Sequence, residues 1–461
     1  MKEERESTDK RDGALEKDWT KGSIVRNLLS LSWPMMINEG LWAIGFTIDM
    51  IWIGKLGPTS IAGAGVAGII VMIMMTAIFG LSVGTKAMIA RFVGGEDTLS
   101  ANHVAQQSFV ITGIITAILA VIGFLFSEHI LSLFGLSDEV VAEGTAYLQI
   151  QFVGSVPMAF WIMAENIMYA TGDGVNPMRI TLVARFVHAV LTPFLVLGWW
   201  IFPQMGVSGA ALSNLLAFTI GMTFGLWILF SGRTRLTFTL RNFVLDFPMI
   251  WRIVKIAIPA SVMGLQRSLG QMMLMRFMVP FGTLAVAAHS LIQRVDMFLF
   301  LPSMGLGVAG GVLVGQNLGA RQPDKAAKSA WLATGLAEAL LVVCAVLILL
   351  FPEKIIGIFT VDSELIELTR SFLRIAVTGY LLIGFVAVMQ HCISGAGDTF
   401  PPMLISLIMV WVVQLPLAFI FSKVTNLGEL GIRWAMVTGT ATGAISYTVY
   451  FWTGRWKRKN I

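Results

Sequence analysis

Charged residues are scarce in this sequence. Asp, Glu, Lys and Arg make up 13% of its 461 residues, and apolar residues make up 56%, whereas about a quarter of a typical soluble domain is charged. The composition therefore excludes an ordinary soluble domain. The few basic residues are dispersed along the chain, so they do not indicate a nucleic-acid-binding surface.

The sequence also has few cysteines and lacks two common enzyme motifs. The two cysteines, Cys344 and Cys392, lie in apolar segments without C-x-x-C spacing, so we expect packing residues and no disulfide or metal site. The sequence contains no P-loop and no H-E-x-x-H motif, which argues against bound ATP and against metalloprotease chemistry. We expect no enzyme, no cofactor and no resident metal, and we expect an ion gradient as the energy source.

What the sequence has instead is a series of long apolar segments. Each is about 18 residues or longer, enough to cross a hydrocarbon core of roughly 30 Å, and the segments are continuous and do not alternate as barrel strands do. The sequence predicts an all-α membrane protein with twelve transmembrane helices. The predicted limits are 28–53, 60–84, 105–126, 145–169, 177–201, 207–231, 249–279, 285–312, 330–351, 367–394, 402–422 and 430–453.

The basic residues predict the orientation of these helices. They are concentrated in a leader, a central connection and a tail, and alternate loops are nearly bare, so both termini and the central loop are expected in the cytoplasm. These groups are Lys2, Arg5, Lys10, Arg11, Lys17, Lys21 and Arg26; Arg233, Arg235 and Arg241; and Arg455, Lys457, Arg458 and Lys459. The predicted regions are a leader (1–25), a bundle (26–231), a linker (232–248), a second bundle (249–454) and a tail (455–461), in the inner membrane.

The second half of the chain repeats the first at an offset of about 225 residues. Pro34 corresponds to Pro259, and the pairs that follow keep this register without a gap. They include Gly57 and Gly282, Ala62 and Ala287, Gly80 and Gly305, Gly94 and Gly319, Phe126 and Phe351, Glu128 and Glu353, and Gly172-Asp173 and Gly397-Asp398. Each copy has six helices, so the two six-helix bundles are expected to have the same orientation, a parallel internal repeat. Leu274 falls where Asp49 would be, so only one copy has this acid.

Several motifs carry a family resemblance. They are a first helix with a proline and a distal aspartate, the loops IARFVGGED (89–97) and VGQNLGARQPDKA (314–326), the loops TGDGVNP and SGAGDTFPP, and QLPLA (414–418). In this order and duplication the chain resembles the multidrug and toxic compound extrusion (MATE) transporters from about residue 25 to 455. The resemblance implies two bundles around a central cleft and export of organic, often cationic, compounds against entry of sodium ions or protons.

Asp49 is the first candidate for ion coupling. Ionisable groups in hydrocarbon are expensive and need a partner or a function, and a carboxylate that loads and releases a proton or sodium ion supplies the charge change that antiport requires. The alternative is that Asp49, about one turn from the helix end, is only a weakly penalised structural charge. The resemblance implies the coupling role, with a possible sodium ion at Asp49.

Asn38, Glu39 and Glu165 are the candidates of the first half for lining the substrate cleft, and Pro34 is the candidate hinge. Asn38 and Glu39 lie deeper on the same helix, where Glu39 is either a second titrating group or a partner of water or of a basic neighbour. Glu165 would attract a cationic substrate. Pro34 permits a bend that alternating access could use, or it is a static kink.

The fifth helix departs from the family pattern. Relatives often have asparagine and then aspartate where this chain has His188 and Thr192. Either His188 titrates near neutral pH, replaces the missing acid and favours protons over sodium, or it is a neutral histidine that shares a hydrogen bond with Thr192. The resemblance adds Asn214 as a further ligand.

The second half departs as well. A bacterial subgroup has a glutamate and an aspartate at the places of Arg267 and Ile383, so we expect no cation site in this half. Arg267, Arg276, Arg294 and Asp296 are predicted to form an internal ion-pair network; alternatively, Arg267 and Gln266 line the substrate cleft.

The sequence therefore predicts a secondary antiporter, working as a monomer in the lipid bilayer, that exports organic, cationic or amphipathic compounds in exchange for protons or sodium ions. A flippase or exporter of a lipid-linked or anionic metabolite is the alternative, since arginines in the cleft would suit an anion. A membrane-embedded enzyme is the third possibility, and it would need an acid, base or metal cluster that the repeated halves lack.

Overall fold

A computed structural model describes residues 18–135, 137–236, 238–241, 243–459 and 461. Of Phe46, only the backbone is described. The basic residues of the predicted leader up to Lys17 lie outside this part of the chain. The cytoplasmic position of the leader, which its basic residues predict, therefore stays a prediction.

The described residues form twelve long helices and no strand. These are α1 (Ile24–Ile53), α2 (Pro58–Gly94), α3 (Thr98–Ser132), α4 (Asp138–Thr171), α5 (Val175–Leu197), α6 (Val207–Phe230), α7 (Phe247–Met278), α8 (Thr283–Gly319), α9 (Pro323–Leu350), α10 (Ser363–Gly395), α11 (Phe400–Lys423) and α12 (Glu429–Trp452). Ten of them have the length and hydropathy of membrane spans; the other two, α1 and α12, have 30 and 24 residues. The all-α membrane fold is confirmed.

Every predicted span overlaps one helix, and most of the helices are longer than predicted. The span predicted over 177–201 is wrong at its end, because α5 ends at Leu197. Hydropathy identifies only the apolar part of a helix, whereas backbone hydrogen bonding continues through the polar ends. The span predicted to end at residue 84 continues to Gly94 and includes Lys86 and Arg91. The hydropathy profile therefore locates the helices and underestimates the length of their polar ends.

The packing of the helices also repeats. In the first half α4 packs against α2, α3 and α6, and in the second half its counterpart α10 packs against α8, α9 and α12. The loops that follow these central helices repeat as well: Gly172 and Gly397 have φ values of 91° and 83°, a region that residues with a side chain rarely adopt. The predicted parallel repeat of six helices is confirmed.

Contacts divide the chain into two compact units, and the division is not sequential. Of the described residues, the first unit takes Asp18–Lys21 and Ile37–Ser261, and the second takes Gly22–Met36 and Val262–Ile461. The chain passes from one unit to the other two residues after Pro34 in α1 and two residues after Pro259 in α7. The limits predicted from the sequence, 26–231 and 249–454, stay a prediction.

The linker between α6 and α7 is docked on the start of α3. The Asn102 side chain exchanges hydrogen bonds with the backbone of Thr239, at 3.2 and 3.1 Å. The Gln107 amide oxygen accepts from the Asp246 backbone nitrogen at 3.2 Å, and His103 Nε2 lies 3.0 Å from Asp246 Oδ2. The linker is therefore fixed to the first unit by polar contacts along its length.

Asp246 gives a prediction for the pH dependence of this docking. A hydrogen bond from the Met249 backbone and the contact with His103 hold the pKa of the Asp246 carboxyl below its usual range. Because the folded-state pKa is lowered, the stabilisation is present above the unfolded pKa of about 3.9 and is lost as the pH falls through the folded value. We expect hydrogen exchange at the Asp246 amide, corrected for its intrinsic rate, to accelerate below about pH 4.

The Asp246→Asn variant should lack this acid-induced change, because it has no carboxylate to protonate. Asp362→Asn, at the start of α10 in the second unit, is the control and should behave at Asp246 like the wild type. Equal acid sensitivity in wild type and Asp246→Asn would show that another group loosens the linker.

Candidate functional site

Three of the predicted coupling residues meet through their side chains inside the first unit. Asp49 from α1 is 6% exposed; its Oδ1 lies 3.0 Å from His188 Nε2 on α5, and its Oδ2 accepts a hydrogen bond of 2.6 Å from Asn214 Nδ2 on α6. His188 is fully buried and Asn214 nearly so. A buried carboxylate with one histidine and one amide can hold a proton or a small cation.

Thr192 completes this cluster, although not in the way one interpretation of the sequence required. Its hydroxyl donates to the His188 backbone carbonyl at 2.7 Å and lies 3.0 Å from the Ser213 hydroxyl. The His188 ring contacts Asp49 and not Thr192, and its Nδ1 is buried with no hydrogen-bond partner among the described residues. The expectation of a ring hydrogen bond to Thr192 is therefore wrong: one turn of α5 pairs the Thr192 hydroxyl with the backbone carbonyl.

A second polar cluster includes Asn38 of α1. Asn38 lies on the same face of this helix as Asp49. Glu165 on α4 accepts hydrogen bonds from Asn38 Nδ2 at 2.8 Å and from Trp42 Nε1 at 3.4 Å. Glu39 interacts electrostatically with Lys86 of α2, and Lys86 also interacts with Glu165. The basic neighbour anticipated for Glu39 is therefore Lys86.

The second unit has an apolar counterpart of the Asp49 site. Leu274, which the repeat aligns with Asp49, is 2% exposed and packs in a hydrophobic cluster with Ile292, Phe372 and Ala418. The asymmetry that the sequence predicts is present at this position.

The predicted network of Arg267, Arg276, Arg294 and Asp296 is not formed. The three arginine side chains are exposed, and Asp296 instead interacts electrostatically with Arg433 of α12. Arg267 lies over the ring of Phe300, 5.7 Å from its centroid. Helical spacing alone did not distinguish the faces of α7 and α8, which turn these arginines away from Asp296.

Gln266 and Arg267 are adjacent in sequence but differ in burial. Gln266 is buried and its Oε1 has no hydrogen-bond partner among the described residues, whereas Arg267 is exposed. Adjacent residues of a helix point about 100° apart, so the two candidates face different surroundings. Whether either contacts substrate stays a prediction.

The sequence analysis missed two charged residues of the interior, Lys86 and Arg433. Lys86 lies just past the predicted end of its span, and an isolated lysine within an extended apolar helix was the signal that could have found it. Arg433 donates to the His289 backbone carbonyl at 3.2 Å and lies 5.2 Å from the centroid of Phe372. Its position in the first turns of α12 resembled that of an ordinary interfacial residue.

No group of three His, Cys, Asp or Glu side chains in the described part of the chain could hold a metal ion. Cys344 and Cys392 are both free. Asp49 is contacted by one imidazole nitrogen and one amide nitrogen, and the Thr192 and Ser213 hydroxyls contact each other.

Comparison with known proteins identifies the family. The MatE family model matches residues 34–194 and matches again at residues 259–420, so each copy of the repeat is recognised separately. The chain belongs to the MATE family. Its members are transporters and not enzymes, and ion-coupled antiport of small organic compounds by alternating access is general in this multidrug efflux family.

Individual MATE relatives match over nearly their whole length. The chain is 24% identical to the probable multidrug resistance protein YoeA of Bacillus subtilis, covering 96% of both chains, and 27% identical to the probable multidrug resistance protein YpnP of the same organism, covering 96% of this chain and 98% of YpnP. A solved structure described as the outward-facing conformation of a multidrug resistance MATE family transporter matches with a TM-score of 0.89 at 24% identity, covering 96% of this chain and 98% of that chain. This likeness shows the MATE fold.

Proposed function

We propose that this MATE transporter is a secondary antiporter that exports cationic or amphipathic organic compounds in exchange for protons, with Asp49 as the coupling carboxylate. The observation that carries the proposal is the buried contact of Asp49 with His188 and Asn214. At the equivalent place in the second unit lies the apolar, buried Leu274.

The contact with His188 favours protons over sodium ions as the coupling ion. Sodium is bound by oxygen atoms, whereas one Asp49 oxygen faces an imidazole nitrogen at 3.0 Å. Histidine is the side chain whose ordinary pKa lies nearest neutral pH. A carboxylate and an imidazole in contact can share one added proton, and the Asn214 amide holds the carboxylate in place.

The substrate class follows from the interior charges of the first unit. Asp49, Glu39 and Glu165 supply three carboxylates that interact with two cations, Lys86 and Arg185, and this excess of acid suits a positively charged substrate. Asn38, which donates to Glu165, would position that carboxylate.

Pro34 supports a bend in α1 during alternating access. Proline has no N–H for the helix and weakens it locally, and the contacts of α1 change from one unit to the other directly after Pro34. We further propose that both termini lie in the cytoplasm, on the distribution of Lys and Arg. The monomer expected from the sequence stays a prediction.

Asp49→Asn tests the central assignment. Asparagine keeps the size and one hydrogen-bond acceptor but binds no proton, so we expect gradient-driven export of tetraphenylphosphonium from proteoliposomes to fall by about tenfold or more. Protein amount and thermal stability are measured beside the transport rate.

Glu338→Gln is the matched control, since it neutralises a half-buried acid in α9 of the second unit. It should leave export and its pH dependence near the wild-type level. Intact, pH-dependent export by Asp49→Asn would overturn the assignment of the coupling group.

His188→Asn tests the coupling ion. The variant removes the imidazole and restores the amide that relatives have there, so the pH dependence of export should shift or weaken, with the rate measured at several pH values with and without sodium. Unchanged pH dependence together with a strict sodium requirement would contradict proton coupling.

Arg267 favours a second candidate function, the export of an anionic or lipid-linked compound. Its exposed guanidinium lies near the middle of α7, and such a charge is costly unless water or an anion faces it. If this function is correct, Arg267→Gln should reduce export of an aromatic anion such as fluorescein by about tenfold and leave tetraphenylphosphonium export unchanged.

A further inference from the structure

Arg185 is a buried cation without a close counter-ion. It lies on α5 with 6% of its surface exposed, and its Nε has no hydrogen-bond partner in the part of the chain that the structure describes. Within the described residues no carboxylate forms an ion pair with it; Asp49 and Glu165 act on it only at longer range. A charge at this depth normally pairs or marks a functional site, so the environment of Arg185 needs another explanation.

The Arg185 guanidinium lies against a cluster of three aromatic rings, and we call Trp42, Trp161 and Phe218 the aromatic box. The guanidinium carbon lies 4.6 Å from the ring centroid of Trp42, 5.8 Å from that of Trp161 and 5.9 Å from that of Phe218. The two tryptophans stack with centroids 4.6 Å apart. Aromatic faces around a positive charge are the arrangement by which proteins bind organic cations.

Two glycines make the space for the aromatic box and for its occupant. A Cβ atom on Gly45 would lie 2.5 Å from Arg185 Nη1, and one on Gly221 would overlap the Trp161 ring. Any other residue at Gly45 would therefore push the guanidinium out of its place.

The aromatic box also has polar groups in it or beside it that a ligand could contact. Trp161 is fully buried, and its Nε1 donor has no partner among the described residues. Glu165 lies beside the box, since it accepts a hydrogen bond from Trp42. A ligand here would find aromatic faces, a carboxylate and a free donor.

We propose that the aromatic box is a binding subsite for organic cations and that Arg185 is a tethered occupant which the substrate displaces. The inference rests on the proposed export of cations and adds where they bind. The displaced guanidinium is attracted by two carboxylates, Asp49 and Glu165. Movement towards Asp49 would let substrate binding in the box act on the coupling site.

Binding of tetraphenylphosphonium to the purified protein tests the subsite. Arg185→Ala removes the competitor, so we expect the affinity to rise by about tenfold, a factor consistent with losing one buried cation–aromatic contact. Adding Phe218→Leu to this variant should reverse most of the gain. Arg233→Ala is the control, because Arg233 also lies over a tryptophan, 4.5 Å from the ring centroid of Trp227, but outside the box.

A measurement on the wild type keeps the inference testable if Arg185→Ala does not fold. Ethidium monoazide is bound, photolysed and mapped by mass spectrometry, and the label is expected on peptides that contain Trp42, Trp161 or Phe218. Saturable labelling elsewhere overturns the subsite, and so does unchanged or weaker tetraphenylphosphonium binding by a folded Arg185→Ala.

The same preparations separate this inference from the proposed function. Gradient-driven export of the probe with labelling outside the box contradicts only the subsite. If the wild type exports neither probe under any ion gradient, the proposed function fails. Loss of fluorescein binding in Arg185→Ala would identify Arg185 as an anion ligand and would also overturn the inference.

Discussion

The cost of leaving a charge without compensation inside a membrane protein constrains every polar residue of the first unit. Its effect is visible in three different solutions. Asp49 has a histidine and an amide, Glu39 has Lys86, and Arg185 has aromatic faces in place of a carboxylate. Of these three groups, Arg185 is the one whose nearest partners are aromatic rings and not an opposite charge, and for that reason we expect it to be the group most easily exchanged for another cation.

The two copies of the repeat share a scaffold and differ in their interior. The prolines of α1 and α7 and the glycines after α4 and α10 serve the backbone, so both copies need them. The interior side chains are not constrained in this way. In the second copy the apolar side chain of Leu274 lies where the first copy has the Asp49 carboxylate. The buried charges of the second unit lie elsewhere, around Asp296 and Arg433.

Much of this organisation could be predicted from the sequence, because hydropathy, the repeat and the glycine and proline positions are local signals. The sequence also selected Asp49, His188 and Asn214, which do meet. It could not place Lys86 or the aromatic box, since these depend on which faces of α1, α2, α4, α5 and α6 are turned towards each other. The expected network of Arg267, Arg276, Arg294 and Asp296 failed for the same reason, because the sequence does not show which faces of α7 and α8 are turned towards each other.

The docked linker has a consequence for how the chain could be divided. Asp246 is fixed to α3, and α7 begins at the next residue and belongs to the first unit as far as Ser261. Two of the three passages between the units thus occur within helices, and the third lies between Lys21 and Gly22, just before α1. A protein split at the linker would give two fragments that each carry part of a helix belonging to the other unit, so neither fragment would contain a complete folding unit. The gene duplication visible in the sequence therefore does not correspond to two independently folding halves.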